Sequence, residues 1–344
     1  MDSVWFSNLV VVGLLLGGIL LGLAIRRNRL WLEAWRSLLR RRPIAVLALA
    51  LFIAIGLVDS VVWIDGEAGA ESGDSFAAFE ARSMIDRALG GDDFRERSYS
   101  APFADVEFYG GDELVHPGKH LLGTDLLGRD VLYLTLKGVK VALLVGGFTS
   151  LIVIPLALLF GVTAGYFGGR IDDAVFFIMT TLASIPNLLL LIALILVLDR
   201  GTFQVCLALG VTSWVGFCRL SRGETLKLRE MDYVQAARAL GVSHARIILR
   251  HILPNLGHLV IITFALLFTA LVISETILAY LGIGLDGSWG QMIDQARDEL
   301  SRDPIVWWNF VAASAALFGL VLCVNLIGDA VRDILDPRTL RERD

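Results

Sequence analysis

The residues able to do chemistry in this chain fall into three sets, and their spacing decides what each could do. Glu275 is an acid inside an apolar run and is flanked by Ser274 and Thr276. Ser184 and Asn187 stand beside Pro186 in another apolar run. Ionisable groups in hydrocarbon are costly, and a proline frees a backbone carbonyl that needs a new partner. Both sets are candidates for a solute path or gate. Each also has a structural alternative: Glu275 could bond the turn at 282–284, and Pro186 could simply kink its helix. The third set is a polar, Arg-rich stretch, YVQAARALGVSHARIILRHILPN at 233–255, lying between two apolar runs. Ala236, Ala237 and Ala239 let a partner's backbone come close, and Gly241 permits a sharp turn between two short helices. Such a stretch could pass a push from a soluble partner into the helices; the alternative is a solvated basic loop with ordinary helix propensity.

Other chemistries lack their signatures. The chain has no GxxxxGK[ST] phosphate loop, no HExxH and no GxSxG. Neither a metal nor a cofactor is expected in this chain. Cys206, Cys218 and Cys323 all lie in apolar runs, where cysteine acts as a small packing residue.

The elements that must position these sets are membrane helices. The 344 residues are 56% hydrophobic, above the soluble range. Seven apolar runs, near 8–25, 44–64, 139–165, 174–198, 203–218, 257–284 and 305–328, can each cross a bilayer. The run at 203–218 is short and would need burial by neighbours. The expected class is all-α and polytopic, with about seven transmembrane helices.

Charge sets the orientation. Residues 26–43 hold seven Arg against one Glu, and 219–256 hold seven Lys or Arg. The loop at 65–137 holds fifteen acids against seven bases. Basic short loops stay in the cytoplasm, so the N-terminus is expected outside and the C-terminus inside. Met1–Asn8 carries no basic residue, so the first run reads as a reverse anchor in preference to a cleaved signal.

Four regions follow. Residues 1–64 form two helices joined by an Arg-rich connector, which either lies along the membrane surface or is a plain loop. Residues 65–137 are an acidic external segment, with helical spacing in FAAFEARSMIDRAL at 76–89 and an irregular remainder. Residues 138–330 are a five-helix core interrupted by the cytoplasmic stretch 219–256. Residues 331–344 are a cytoplasmic tail. Within 219–256, Asp232 can cap the first short helix and Pro254 is expected to end the second. Asp125, Arg129 and Asp130 either cap the helix that follows them or meet a soluble partner.

The 233–255 stretch resembles the EAA loop of binding-protein-dependent ABC importer permeases. Gln235, Ala236, Ala237, Gly241, Leu253 and Pro254 match that pattern in register. Gln235 replaces its acid, and His251 stands where isoleucine is expected. HLLGTDLLGRDV at 120–131, SETILAYLGIGLDGSWGQMI at 274–293 and DAVRDILDPR at 329–338 resemble segments of the C-type permeases for dipeptides, oligopeptides and nickel. The resemblance covers about 120–340 and implies a type I importer permease fold of six spans, here with one extra at the N-terminus. It implies a B-type second permease, two ABC ATPases that bind ATP and Mg, and a solute-binding protein outside. Gln235 to Pro254 would then be the ATPase-coupling residues. The bilayer lipid is the other expected partner; nucleic acid is not. An ion-driven transporter, the main alternative, would want polar sites near the midplane and related halves. Neither is evident.

Overall fold

The computed structural model describes residues 37–64, 81–90, 94–198 and 201–335. The expected first span at 8–25, much of the Arg-rich connector and the end of the tail lie outside those residues. The regular elements of the described residues are helices and one two-stranded antiparallel ribbon, β1 (Val62–Ile64) paired with β2 (Ala81–Ser83).

The helices are α1 (Pro43–Ser60), α2 (Met84–Leu89), α3 (Val131–Phe167), α4 (Gly169–Ser184), α5 (Asn187–Leu198), α6 (Thr202–Arg229), α7 (Asp232–Ala239), α8 (His244–Ile247), α9 (Gly257–Tyr280), α10 (Trp289–Glu299) and α11 (Trp308–Leu335). Among the described residues, five helical stretches are long and apolar enough to cross a membrane; α4 with α5 makes a sixth only as a bent pair. The helix around the short 203–218 run is in fact 28 residues long, because α6 continues through polar residues to Arg229.

The chain forms two compact units. The first comprises the described residues up to Leu143 with 279–282 and 286–323. Here Trp289 is buried, its Nε1 donating to Thr135 O at 2.9 Å and its ring edge-on to Phe52. Of the helix expected over 76–89, residues 76–80 lie outside the described residues and Met84–Leu89 is helical. Residues 81–83 are strand, and Ser83 opens α2 with a capping box completed by Asp86.

The remainder of the acidic segment is also more ordered than its composition implies. Residues 94–130 carry three isolated bridges, Ser100↔Glu107, Val106↔Glu113 and Thr124↔Asp130. They enclose buried Glu96, Tyr99, His120, Thr124 and Asp125. Asp130 Oδ1 accepts from the backbone N–H of Leu132 and Tyr133 and so caps α3. Asp125 takes backbone bonds from Leu127 and Arg129 and pairs with the Arg129 side chain.

The second unit comprises 144–278, 283–285 and the described residues from 324. Its core joins α3 and α6. Gly161 and Gly165, four residues apart on α3, face α6 so closely that a Cβ at either would stand 2.7 Å from a backbone carbonyl, Cys218 O or Arg222 O. Small residues at this spacing let membrane helices touch through their backbones. Gly168 and Gly169 serve differently. Their φ values of +67° and +54° make the turn from α3 into α4.

Candidate functional site

The polar stretch folds as two short helices around one turn. Met231 is the N-cap of α7, and Asp232 takes the first helical position, where an acid favours the helix dipole without capping. At the other end Gly241 adopts φ +77°. Its N–H donates to Arg238 O, and the Val242 N–H donates to Ala237 O. This is a Schellman ending, which an L-side chain at position 241 would strain.

The second half corrects the sequence expectation. The rod does not stop at Pro254. After α8 it widens into a π turn over Ile248–Ile252, tightens to a 3₁₀ turn over Leu253–Leu256, and runs on as α9. Proline lacks an N–H and crowds the carbonyl four residues back. Widening the preceding turn accommodates both effects, so the short helix and the next span form one piece.

A single apolar cluster seats both helices. Val162 and Tyr166 of α3 pack with Val234 and Ala237 of α7, Ile247 of α8, and Ile252 and Leu256 beyond it. Tyr166 is at the centre. Its hydroxyl lies 2.9 Å from His244 Nδ1, and Arg238 Cζ lies 5.2 Å over its ring. From sequence Arg238 reads either as surface charge or as a coupling contact; in the structure it is part of the seat. Arg229 Nη1 donates to Gly165 O at 3.2 Å, and Arg222 forms a two-point ion pair with Asp172 of α4.

The opposite face is open. Gln235, Ala236, Gly241 and Pro254 are exposed, His251 and Leu253 are half-buried, and Leu240 is 84% exposed. Ala237 alone of the coupling candidates is buried. Gln235 Nε2 donates to Glu230 Oε2 at 3.1 Å. A carboxylate therefore stands beside the position where the EAA pattern has its own, five residues earlier in sequence. The signal that could have revealed it is the acid at the α6–α7 junction.

The intramembrane candidates divide into two groups. At Ser184–Asn187 the chain bends by 91°, far beyond a simple kink. Ile185, the residue before Pro186, is extended at ψ 129°, as a pre-proline residue prefers. Ser184, Pro186 and Asn187 line a cleft of ≈ 430 Å³ with Leu190 of α5 and Thr212 and Val215 of α6. Its lining is apolar apart from Ser184, Asn187 and Thr212, and the Ser184 and Thr212 hydroxyls bond carbonyls of their own helices. Ser274 and Thr276 bond their own helix, at Ala270 O and Val272 O, as Ser184 does at Thr181 O. Buried Glu275 accepts the Leu285 N–H at 3.3 Å, just past the turn its structural alternative named.

Residues 157–341 match the family of binding-protein-dependent transport system inner membrane components. The chain belongs to this family. The oligopeptide transport system permease protein of Haemophilus influenzae is 34% identical over 224 residues, which are 64% of this chain and 71% of that one. The dipeptide transport system permease protein of Bacillus subtilis is 34% identical over 64% of this chain and 70% of its own length. The glutathione transport system permease protein of Pectobacterium atrosepticum is 33% identical over 70% and 80%. Among solved structures, an inward-facing methionine ABC transporter aligns with 60% of this chain at 20% identity and a TM-score of 0.49. This family member is a multi-pass permease subunit of an ABC importer, and the all-α type I importer class read from sequence is that of its family.

Proposed function

We propose that this permease forms half of the path for peptides or related small solutes and carries out no chemical step itself. The observation that carries the reading is the build of 231–256: a seated, Schellman-ended helix pair, continuous with a membrane span, with its outer face exposed. ATPase subunits dock on that face. Leu240 supplies its apolar knob, and Glu230 with Gln235 supplies its polar contact. ATP and Mg are bound by those partners. A B-type permease completes the path, and a solute-binding protein delivers solute from outside. The N-terminus is outside and the C-terminus in the cytoplasm, which puts residues 94–130 on the solute-binding protein's side. The solute passes the Ser184–Asn187 bend, while Glu275, with Ser274 and Thr276 beside it, holds the far end of α9.

The peptide reading draws support from relatives named for oligopeptide, dipeptide and glutathione transport. The test is reconstitution of this chain with its second permease, ATPases and binding protein, comparing wild type with Gly241→Asp and Ala237→Glu. The first puts a charged side chain at a left-handed turn that glycine fits best. The second puts a charge into the apolar seat. Both should strip the ATPases or uncouple them from uptake. A wild-type chain that never captures ATPases, with both variants silent, would leave an ion-driven carrier as the better reading.

A further inference from the structure

Residues 231–256 could be an independent foot whose contacts with the bundle are generic. Their attachment argues otherwise. Both helices of the foot meet one side chain, Tyr166, which is 2% exposed. Three different interactions converge on it. Its hydroxyl bonds His244 Nδ1 at the start of α8, its ring lies under the Arg238 guanidinium from the end of α7, and its flank packs in the cluster with Val234 and Ala237. The neighbouring Phe167 ring stacks edge-on against the same imidazole, with centroids 5.8 Å apart. Arg229, at the end of α6, reaches the carbonyls of Gly165 and Tyr166.

We infer that Tyr166 is a positioning residue for coupling: it grips α7 and α8 together and passes their displacement into α3 and, through the Gly161–Gly165 contact, into α6. The apolar contacts alone would let the foot slide or rotate, because apolar packing is non-directional. The hydroxyl–imidazole bond and the stacked guanidinium are directional, and they fix rotation as well as distance. The Schellman bonds of the Gly241 turn end α7, but no side chain packs over the turn, nothing lying within 4 Å of a Cβ placed there. The clasp on Tyr166 adds a second, non-local constraint on how α7 and α8 sit together.

This inference rests on the reading of 231–256 as the ATPase foot, and the experiment separates the two. The complete transporter is reconstituted in proteoliposomes, and solute taken up per ATP hydrolysed is measured for wild type, Tyr166→Phe, His244→Ala, the double variant and His244→Gln. Tyr166→Phe keeps the ring and removes one hydrogen bond, worth about 1 kcal/mol, so the ratio should fall about fivefold. His244→Ala should do the same. The double variant should be no worse than either, because both remove one bond. His244→Gln keeps a side-chain donor and acceptor and should recover much of the loss. ATPases that co-purify normally with Tyr166→Phe while the uptake ratio and its rescue are unchanged would overturn the inference and leave the foot intact. A thermal shift with an unchanged ratio would do so too, reducing Tyr166 to a structural role. Failure of wild type to bind ATPases would overturn both.

Discussion

The His120 imidazole lies 2.8 Å from the Asp130 carboxylate, the same group that caps α3 through its other oxygen. On its far side His120 Nε2 is 3.3 Å from Glu96 Oε1, and Glu96 also accepts the backbone N–H groups of Val115 and His116. The Asp130 hydrogen bond raises the His120 pKa; burial opposes this, and Glu96 reinforces it. Burial alone would raise Glu96, but the two backbone N–H groups and His120 outweigh it and hold the carboxyl low.

The two shifts give residues 94–130 a pH window. His120, with its raised pKa, contributes stability that is full below its unfolded value and is lost as pH rises through its folded value. Glu96, with its lowered pKa, contributes above its unfolded value and loses that as pH falls through its folded value. Protection factors of 94–130, which divide out the steep pH dependence of intrinsic amide exchange, should be highest in mildly acidic buffer and lower on either side. His120→Gln should abolish the alkaline limb. An unchanged limb in that variant would show that the clamp does not set it.

Glu299 is shifted the opposite way from Glu96. Burial raises its pKa against the bonds from Asn309 and Tyr99. The same burial, with the Glu299 charge, pushes Tyr99 up to about 12. A raised carboxyl stabilises the fold below its unfolded pKa and loses that contribution as pH rises through the folded one. Glu299→Gln keeps the shape without the charge. Thermal unfolding of this variant should be as high as wild type or higher at neutral pH and flatter between weakly acidic and neutral pH. A lower melting point there would mean the ionised acid is needed.

The Gly161 contact sets the spacing of α3 and α6, so Gly161→Val should destabilise the protein by about 1–3 kcal/mol. Gly147 has open space where a Cβ would go, and Gly147→Ala should be neutral or slightly stabilising. Thermal unfolding in detergent compares the two. Equal effects would contradict the close approach.

Glu275 and Leu285 give a third contrast. Glu275→Gln still offers an oxygen to the Leu285 N–H, whereas Glu275→Leu leaves that buried donor without this acceptor, at a cost of about 1–3 kcal/mol. Folded yield should follow Leu < Gln ≈ wild type, with uptake tracking yield. If the Gln variant folds normally but carries no solute, Glu275 acts in the path as well.

The long apolar helices among the described residues, the polar foot and the Gly241 turn were legible in the sequence, because each follows from short-range causes. Apolar runs must span a bilayer, and a left-handed turn favours glycine within four or five residues of its hydrogen bonds. Local reasoning failed where a neighbour decided the outcome. Pro254 reads as a stop, yet a π turn carries the helix past it. Pro186 reads as a kink, yet the chain turns by 91°. Arg238 reads as surface charge or as a coupling contact until Tyr166 is placed beneath it.

The sequence alone determined the class of protein, its family resemblance and the location of the polar stretch, since hydropathy and motif spacing are properties of adjacent residues. Only the tertiary structure decided what the stretch is fastened to. Tyr166 and His244 are 78 residues apart, as Glu96 and His120 are 24 apart. Nothing in the local pattern of either partner encodes a bond across that distance. It exists because Gly161 and Gly165 let α3 and α6 close together, and because Gly241 folds α8 back onto the tyrosine.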